Sequence, residues 1–284
     1  MVAVPHVSSL HVFPVKSLRG VDVPAAHVER WGVRGDRRWM VVEPAGGVLT
    51  AREHPRMLGV RAEPLDGGVR LSAPGASDLQ VREPEGVEPD VTVGLSRLEC
   101  ATGAGSAADD WLSDALGRRV RLVWLDDPRR RTVSPQHGGR AGDALSLADA
   151  GPLLVTTEAS MAALNAWVAD RALEAADPTG SPTVPAPLPM ERFRPNLVVG
   201  GDLEPFEEDR WAGLRVGDVE LRFAERCDRC SLTTIDLDTL VTTKEPIRTL
   251  ARHRREDGKT WFGVRMVPVT TGRVAVGDPV TALR

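Results

Sequence analysis

Gly46-Gly47, Asp66-Gly67, Gly217-Asp218 and Gly277-Asp278 each stand between two short runs rich in Val and Leu. Glycine enters the positive-φ region without steric penalty, and tight turns between antiparallel strands use that region. Residues 39–42 with 48–50, and 60–65 with 69–71, therefore read as hairpins. Residues 120–124, 197–199, 214–216, 219–223, 274–276 and 280–283 read as further short strands. No alternation of strand, helix and parallel strand appears, which argues against a doubly wound sheet. No repeat with a period of roughly 20–50 residues is present. The expected class is mainly β (α+β): two β-barrel-like domains of antiparallel strands with a few covering helices.

Two helices stand out from this background. Ala108, Trp111, Leu112, Ala115 and Leu116 form one apolar stripe at helical spacing, with Ser106 placed to cap it and Gly117 to end it. A second helix starts near Thr157, with Met161, Leu164 and Val168 on one face. Residues 74–90 and the proline-rich residues 177–189 read as irregular loops. The charged, glycine-containing stretch 126–143 marks a boundary, giving a first domain of residues 1–130 and a second of 131–284.

Composition narrows the functional classes. At 42% apolar residues the chain can bury a sizeable core. A formal charge of −4 gives no support to a nucleic-acid or membrane partner. Residues 1–16 alternate apolar and polar, so they read as neither a signal peptide nor a membrane helix. Three cysteines without a framework of pairs fit a reducing compartment, and a cytoplasmic location is expected. Abundant Arg, Ala and Gly with no Tyr fit the codon bias of a GC-rich bacterium.

Two of those cysteines lie in Arg226-Cys227-Asp228-Arg229-Cys230-Ser231, where Arg229 directly precedes Cys230. A neighbouring cation favours the thiolate, the form that attacks electrophiles and binds metals. Cys227-x-x-Cys230 has four readings: half of a zinc site, a redox pair, two packed thiols, or one thiolate on a metal held through a larger organic cofactor. Zinc would need two more ligands, and no second such motif exists. Redox pairs usually open a helix in a βαβ setting, whereas β-prone residues follow here. The last reading requires an anion cradle. Pro14-Val15-Lys16-Ser17, Gly35-Asp36-Arg37-Arg38 and Phe193-Arg194-Pro195-Asn196 offer cations at strand ends, where loops build sites on rigid scaffolds. Taken singly, each reads first as a solvated surface charge.

These stretches, with Thr50-Ala51-Arg52, Thr157-Glu158-Ala159-Ser160, Phe262-Gly263 and Val276-Gly277-Asp278-Pro279, run in one order along nearly the whole chain. In that order the chain resembles the family of the mitochondrial amidoxime-reducing component and its bacterial relatives. Its C-terminal half is similar to the MOSC molybdenum-cofactor-binding domain, and its N-terminal half to the β-barrel domain that often precedes it. The resemblance implies that Cys230 is the protein ligand of molybdenum and that Cys227 is accessory. It implies that Lys16, Ser17, Arg37, Arg194, Asn196, Asp228 and Arg229 form the pterin and phosphate site, and that Asp149 stands beside the metal. Ala150 and Gly151 depart from the pattern, since relatives often carry small hydroxyl residues there. Asp228 replaces a smaller residue, and Leu237 and Leu240 replace the Pro and Gly of the usual turn.

The function implied is a molybdenum-dependent oxidoreductase that reduces N-hydroxylated compounds, with Cys230 and Asp149 at the reacting centre. Asp149 would relay protons if burial raised its pKa toward working pH. Molybdopterin, with or without an added nucleotide, is the expected cofactor; pyridoxal phosphate is not expected. The partners implied are a small N-hydroxylated substrate and a separate electron donor such as a flavodoxin, a ferredoxin or a cytochrome. The rival reading is a non-catalytic cofactor carrier or sulfur-transfer module, which would use the same cysteine and cradle.

Overall fold

The computed structural model describes residues 4–174 and 185–284. Among the described residues the fold is mainly antiparallel β with three α-helices: α1 (Ser106–Leu116), α2 (Glu158–Glu174) and α3 (Ile247–His253). Among the described residues, no helix is long and apolar enough to cross a membrane.

The largest sheet has nine strands and draws on both ends of the chain. Its centre is Val219–Asp228 against Lys259–Pro268, two ten-residue strands whose Leu221, Val264 and Met266 are sealed in one core. Next come Leu153–Thr157, then Leu197–Gly200, then the N-terminal strand His6–Val12. Gly272–Ala275 pairs with Ala25–Glu29, another early segment. So residues 6–33 are hydrogen-bonded into the C-terminal half, although the sequence division falls at 130. The stretch 126–143 is no free tether either. Arg131, 3% exposed, lies inside it and donates to the carbonyls of Ser96, Ser146 and Ala148.

Residues 34–124 build a second core from small sheets and α1, closed by Val15, Leu18 and Ile235 from outside that stretch. Trp39–Val42 pairs with Arg121–Trp124, and Arg61–Leu65 with Gly68–Ser72. The α1 stripe buries Ala108, Leu112 and Leu116 against Trp39, Leu58 and Leu71. Leu112 is fully buried, and truncating such a side chain to Ala typically costs 2–5 kcal/mol. Ser106 is the first helical residue rather than the cap. Gly105 at φ 99° takes the cap position, so the N-terminus has no side-chain cap. Gly117 ends the helix as expected, at φ 69° in the left-handed region.

Four other expectations change. Leu79–Arg82, inside the stretch 74–90 read as loop, is a strand paired with Gly68–Ser72. Leu153–Thr157 and Leu197–Gly200 pair in parallel, with α2 between them in sequence, so one βαβ unit exists. The proline-rich segment after α2 hid the return of the chain; its residues 177–184 lie outside the described residues, and 185–189 have no regular structure. The strands around Gly277-Asp278 do not pair with each other, since Val280–Leu283 adds to Gly213–Val216 while Gly272–Ala275 goes to Ala25–Glu29. Of residues 48–50, only Val48 bridges back, to Val42.

Candidate functional site

One open cleft, about 130 Å³, gathers Lys16, Ser17, Arg37, Asp149, Arg194, Asn196, Asp228, Arg229 and Cys230, every site residue expected from sequence. A larger cavity, about 270 Å³, lies on the other side of Arg194 and contains no cysteine. The smaller one is lined by both Cys227 and Cys230. Its walls carry Lys16, Arg37, Arg194, Arg229 and Arg265 against the carboxylates Asp149 and Asp228. Five cations facing two anions is a strong local reversal in a chain of net charge −4.

The backbone is strained where the cations enter. Ser17, Arg37 and Arg194 have φ of 66°, 46° and 57°, a region that side-chain-bearing residues seldom occupy. Such strain persists only where surrounding contacts hold it, and it concentrates at functional sites. Here the contacts are explicit. Arg37 N donates to Phe13 O, and Arg37 Nη1 donates to Asp36 Oδ2 at 2.5 Å and to Asn196 Oδ1 at 3.2 Å. Asp36 in turn accepts from Phe13 N. The Arg37 and Arg194 guanidiniums both stack on the Phe13 ring, at 4.6 and 4.3 Å. Arg37 and Asn196 thus spend much of their hydrogen-bonding capacity on the protein, and Asn196 also ties Leu154 to His11.

Arg194 and Arg229 are not spent in this way. Arg194, 8% exposed, donates from Nη1 to Leu18 O, and its buried Nη2 has no partner among the described residues. Burial, with Arg37 nearby, pushes Arg194 down to about 9, so it remains charged at neutral pH. Arg229 donates to Cys227 Sγ at 2.9 Å and to Phe193 O at 2.6 Å, and its buried Nε is likewise unpartnered. A buried donor without an acceptor is expensive, and more so on a charged group. The arrangement suits an anion from outside the chain.

The two cysteines part company. Cys227 is buried and Cys230 is exposed at the cleft, and both are free. Arg229 precedes Cys230 in sequence, yet its guanidinium bonds to Cys227. Among the described residues, no group of three or more His, Cys, Asp or Glu is placed to hold a metal directly, so the zinc half-site has no other half.

Asp149 departs from the proton-relay expectation. Its side chain is 70% exposed into the cleft and pairs with Lys16, whose own side chain is 9% exposed. The crowding of the wall opposes ionisation, but the Lys16 ammonium outweighs it and holds Asp149 well below the usual carboxylate range. Burial pulls Lys16 down from its ordinary value, with Asp149 opposing. Asp149 is therefore a fixed negative charge at neutral pH. Asp228 is exposed, and its Oδ1 accepts from Thr260 N.

Arg265 was missed from sequence. It stands between Val264 and Met266, both fully buried, in the apolar strand Lys259–Pro268. A lone Arg in a buried run was the available signal.

Residues 4–119 match the MOSC N-terminal beta barrel domain, and residues 142–281 match the MOSC domain. The chain is 33% identical to human mitochondrial amidoxime-reducing component 1 over 98% of its own length and 82% of that protein's. It is 30% identical to rat mitochondrial amidoxime reducing component 2 over 96% and 82% of the two chains. A solved structure of the YUAD protein from Bacillus subtilis, 11% identical, covers 99% of this chain and 94% of its own at a TM-score of 0.38. The animal relatives count against the bacterial source read from composition, and their mitochondrial names lend no support to the cytoplasmic expectation. With both domains matched in order and a relative aligned over 98% of this chain, the chain belongs to the amidoxime-reducing component family of MOSC domain proteins.

Proposed function

We propose that this protein reduces N-hydroxylated compounds, amidoximes among them, using a molybdenum cofactor held in the cleft. The observation that carries this reading is the joint placement of an exposed Cys230 with the unpartnered donors of Arg194 and Arg229. A cofactor with a phosphate and a metal needs both an anion cradle and a soft ligand, and these residues fit the two requirements. When bound, the cofactor would supply the two-electron step that, with two protons, turns N–OH into N–H and water.

The chain's own residues do the rest. Cys230 presents sulfur at the accessible side of the cleft, where a substrate can approach. Arg194 and Arg229 take the phosphate, pre-aligned by their stacking on Phe13 and Phe193. Arg37 and Asn196 hold that wall in register rather than bearing the anion alone. Asp149 keeps Lys16 in place and holds negative charge beside the reacting centre; a proton donor at neutral pH must be found elsewhere. The electrons come from a separate electron-transfer protein.

The test is to make the full chain in a host that synthesises the cofactor, then measure molybdenum and pterin per chain and reduction of benzamidoxime by reduced methyl viologen. Stoichiometric cofactor with turnover is expected. Cofactor without turnover would favour the carrier role, and a chain without molybdenum or pterin would overturn the reading.

A further inference from the structure

The floor of the cleft at Ala150 and Gly151 carries no side chain able to bind an anion. The strand Lys259–Pro268 runs antiparallel beside Leu153–Thr157, the strand that follows this floor, with Arg265 opposite Leu154. A Cβ on residue 151 would lie 2.8 Å from Arg265 Cβ, 3.1 Å from Cδ and 3.2 Å from Cγ. Real Cβ atoms do not approach so closely, so glycine at 151 is what lets the Arg265 stem lie against this loop.

A β-bulge sets the direction of Arg265's partner. Phe223 pairs with Met266, but Glu225, two residues on, pairs with Arg265, the neighbour of Met266. The extra residue, Ala224, shifts the alternation by one. Phe223 and Met266 stay with the sheet core, while Glu225 and Arg265 face each other on the opposite side, with the Asp149 loop. Arg265 Nη1 donates to Glu225 Oε1, and among the described residues this is the guanidinium's only hydrogen-bond partner. The group is 16% exposed and lines the cleft.

We propose that Arg265, seated across Gly151 and tethered by Glu225, is an anion-binding residue of the cleft. It supplies the phosphate contact that side chains at 150 and 151 do not. As a role toward the cofactor's phosphate, this rests on the proposed function; as an anion contact, it stands on the geometry alone. The tether leaves the remaining donors of a planar fork for a phosphate oxygen, the pattern at which Arg excels over Lys.

The experiment uses the full chain made without cofactor, titrated with inorganic phosphate by calorimetry at low salt. Saturable binding is expected, and Arg265→Gln should weaken it about tenfold to a hundredfold, the size of one charged hydrogen bond. Arg265→Lys should fall between the two. Absence of saturable binding to the wild type would overturn the proposal. So would an Arg265→Gln variant that binds as tightly as the wild type, or an Arg265→Lys variant that melts like the wild type yet binds no better than Arg265→Gln. In parallel, pterin retained per chain after dialysis is measured on protein from a cofactor-competent host. If phosphate binding responds as expected while no pterin is ever found, the anion residue stands and the cofactor reading falls.

Discussion

Arg194 and Glu208 are both buried charged groups, and the protein treats them differently. Glu208 is fully buried beneath the start of α2, where its Oε2 accepts from Ser160 Oγ at 2.8 Å and Thr157 Oγ1 at 3.2 Å. Its Oε1 has no partner among the described residues. Burial pushes Glu208 up to about 7, against the two hydroxyls. This carboxylate can thus shed its charge by binding a proton. Arg194 has no such escape, since even at about 9 it stays protonated at neutral pH. Its unpartnered nitrogen needs a counter-ion. Glu208 can answer its burial with a proton from solution, whereas Arg194 can be answered only by an anion.

If this contrast holds, substitutions in the cleft change ligand content and activity, and those in the niche change stability alone. The largest effect belongs to Cys230→Ser, which should abolish amidoxime reduction while Cys227→Ser keeps most of it; equal losses would point to a shared role for the two sulfurs. Next is Glu208→Gln. The folded pKa is raised, so the stability this group contributes is complete below its ordinary value of 4.5 and is lost as pH rises through about 7. The Gln variant should flatten the pH dependence of denaturant unfolding across that window. It should be more stable than wild type at pH 8 by up to roughly 3 kcal/mol, with unchanged cofactor content. An undiminished slope in the variant would assign the titration to another group.

Arg194→Ala should lower cofactor affinity about tenfold to a hundredfold, with little change in rate per bound cofactor. Unchanged molybdenum occupancy after long dialysis would remove Arg194 from the cradle. The smallest effect is expected for Asp149→Asn on the pH–rate profile. Because Lys16 depresses the Asp149 pKa, the group has finished titrating well below neutrality. The shape of the profile above pH ~5 should then be that of the wild type. A lost acidic limb in that range would restore Asp149 as a proton donor.

Much of this was legible in the chain. Glycine turns and the α1 stripe gave the β class and the first helix, because both are local and periodic. The cleft's membership came from motif order, which reports position but not bonding. That is why Arg229 was assigned to Cys230 when its guanidinium reaches Cys227. Arg265 escaped because its role depends on a bulge in the strand opposite and a missing Cβ in a loop more than 100 residues earlier. The sign of the Asp149 shift was not legible because it depends on Lys16, which lies 133 positions away in sequence.

The pairing of His6–Val12 with Leu197–Gly200 also has a consequence for synthesis. Ser8 and its hydrogen-bond partner Val198 are 190 residues apart. At about 5–20 residues per second, the first strand leaves the ribosome roughly 10–40 s before its neighbour exists. Throughout that interval its edge toward Leu197–Gly200 has unpaired backbone groups. The small sheets and α1 of residues 34–124 are local and can form meanwhile, although their core is finished only when Ile235 joins it. The nascent chain is then expected to fold from its middle outward, with its first strand the last early-made piece to find its place. A translation pause placed once residues 197–200 have cleared the ribosome should raise the soluble yield, and one placed before they are made should lower that yield.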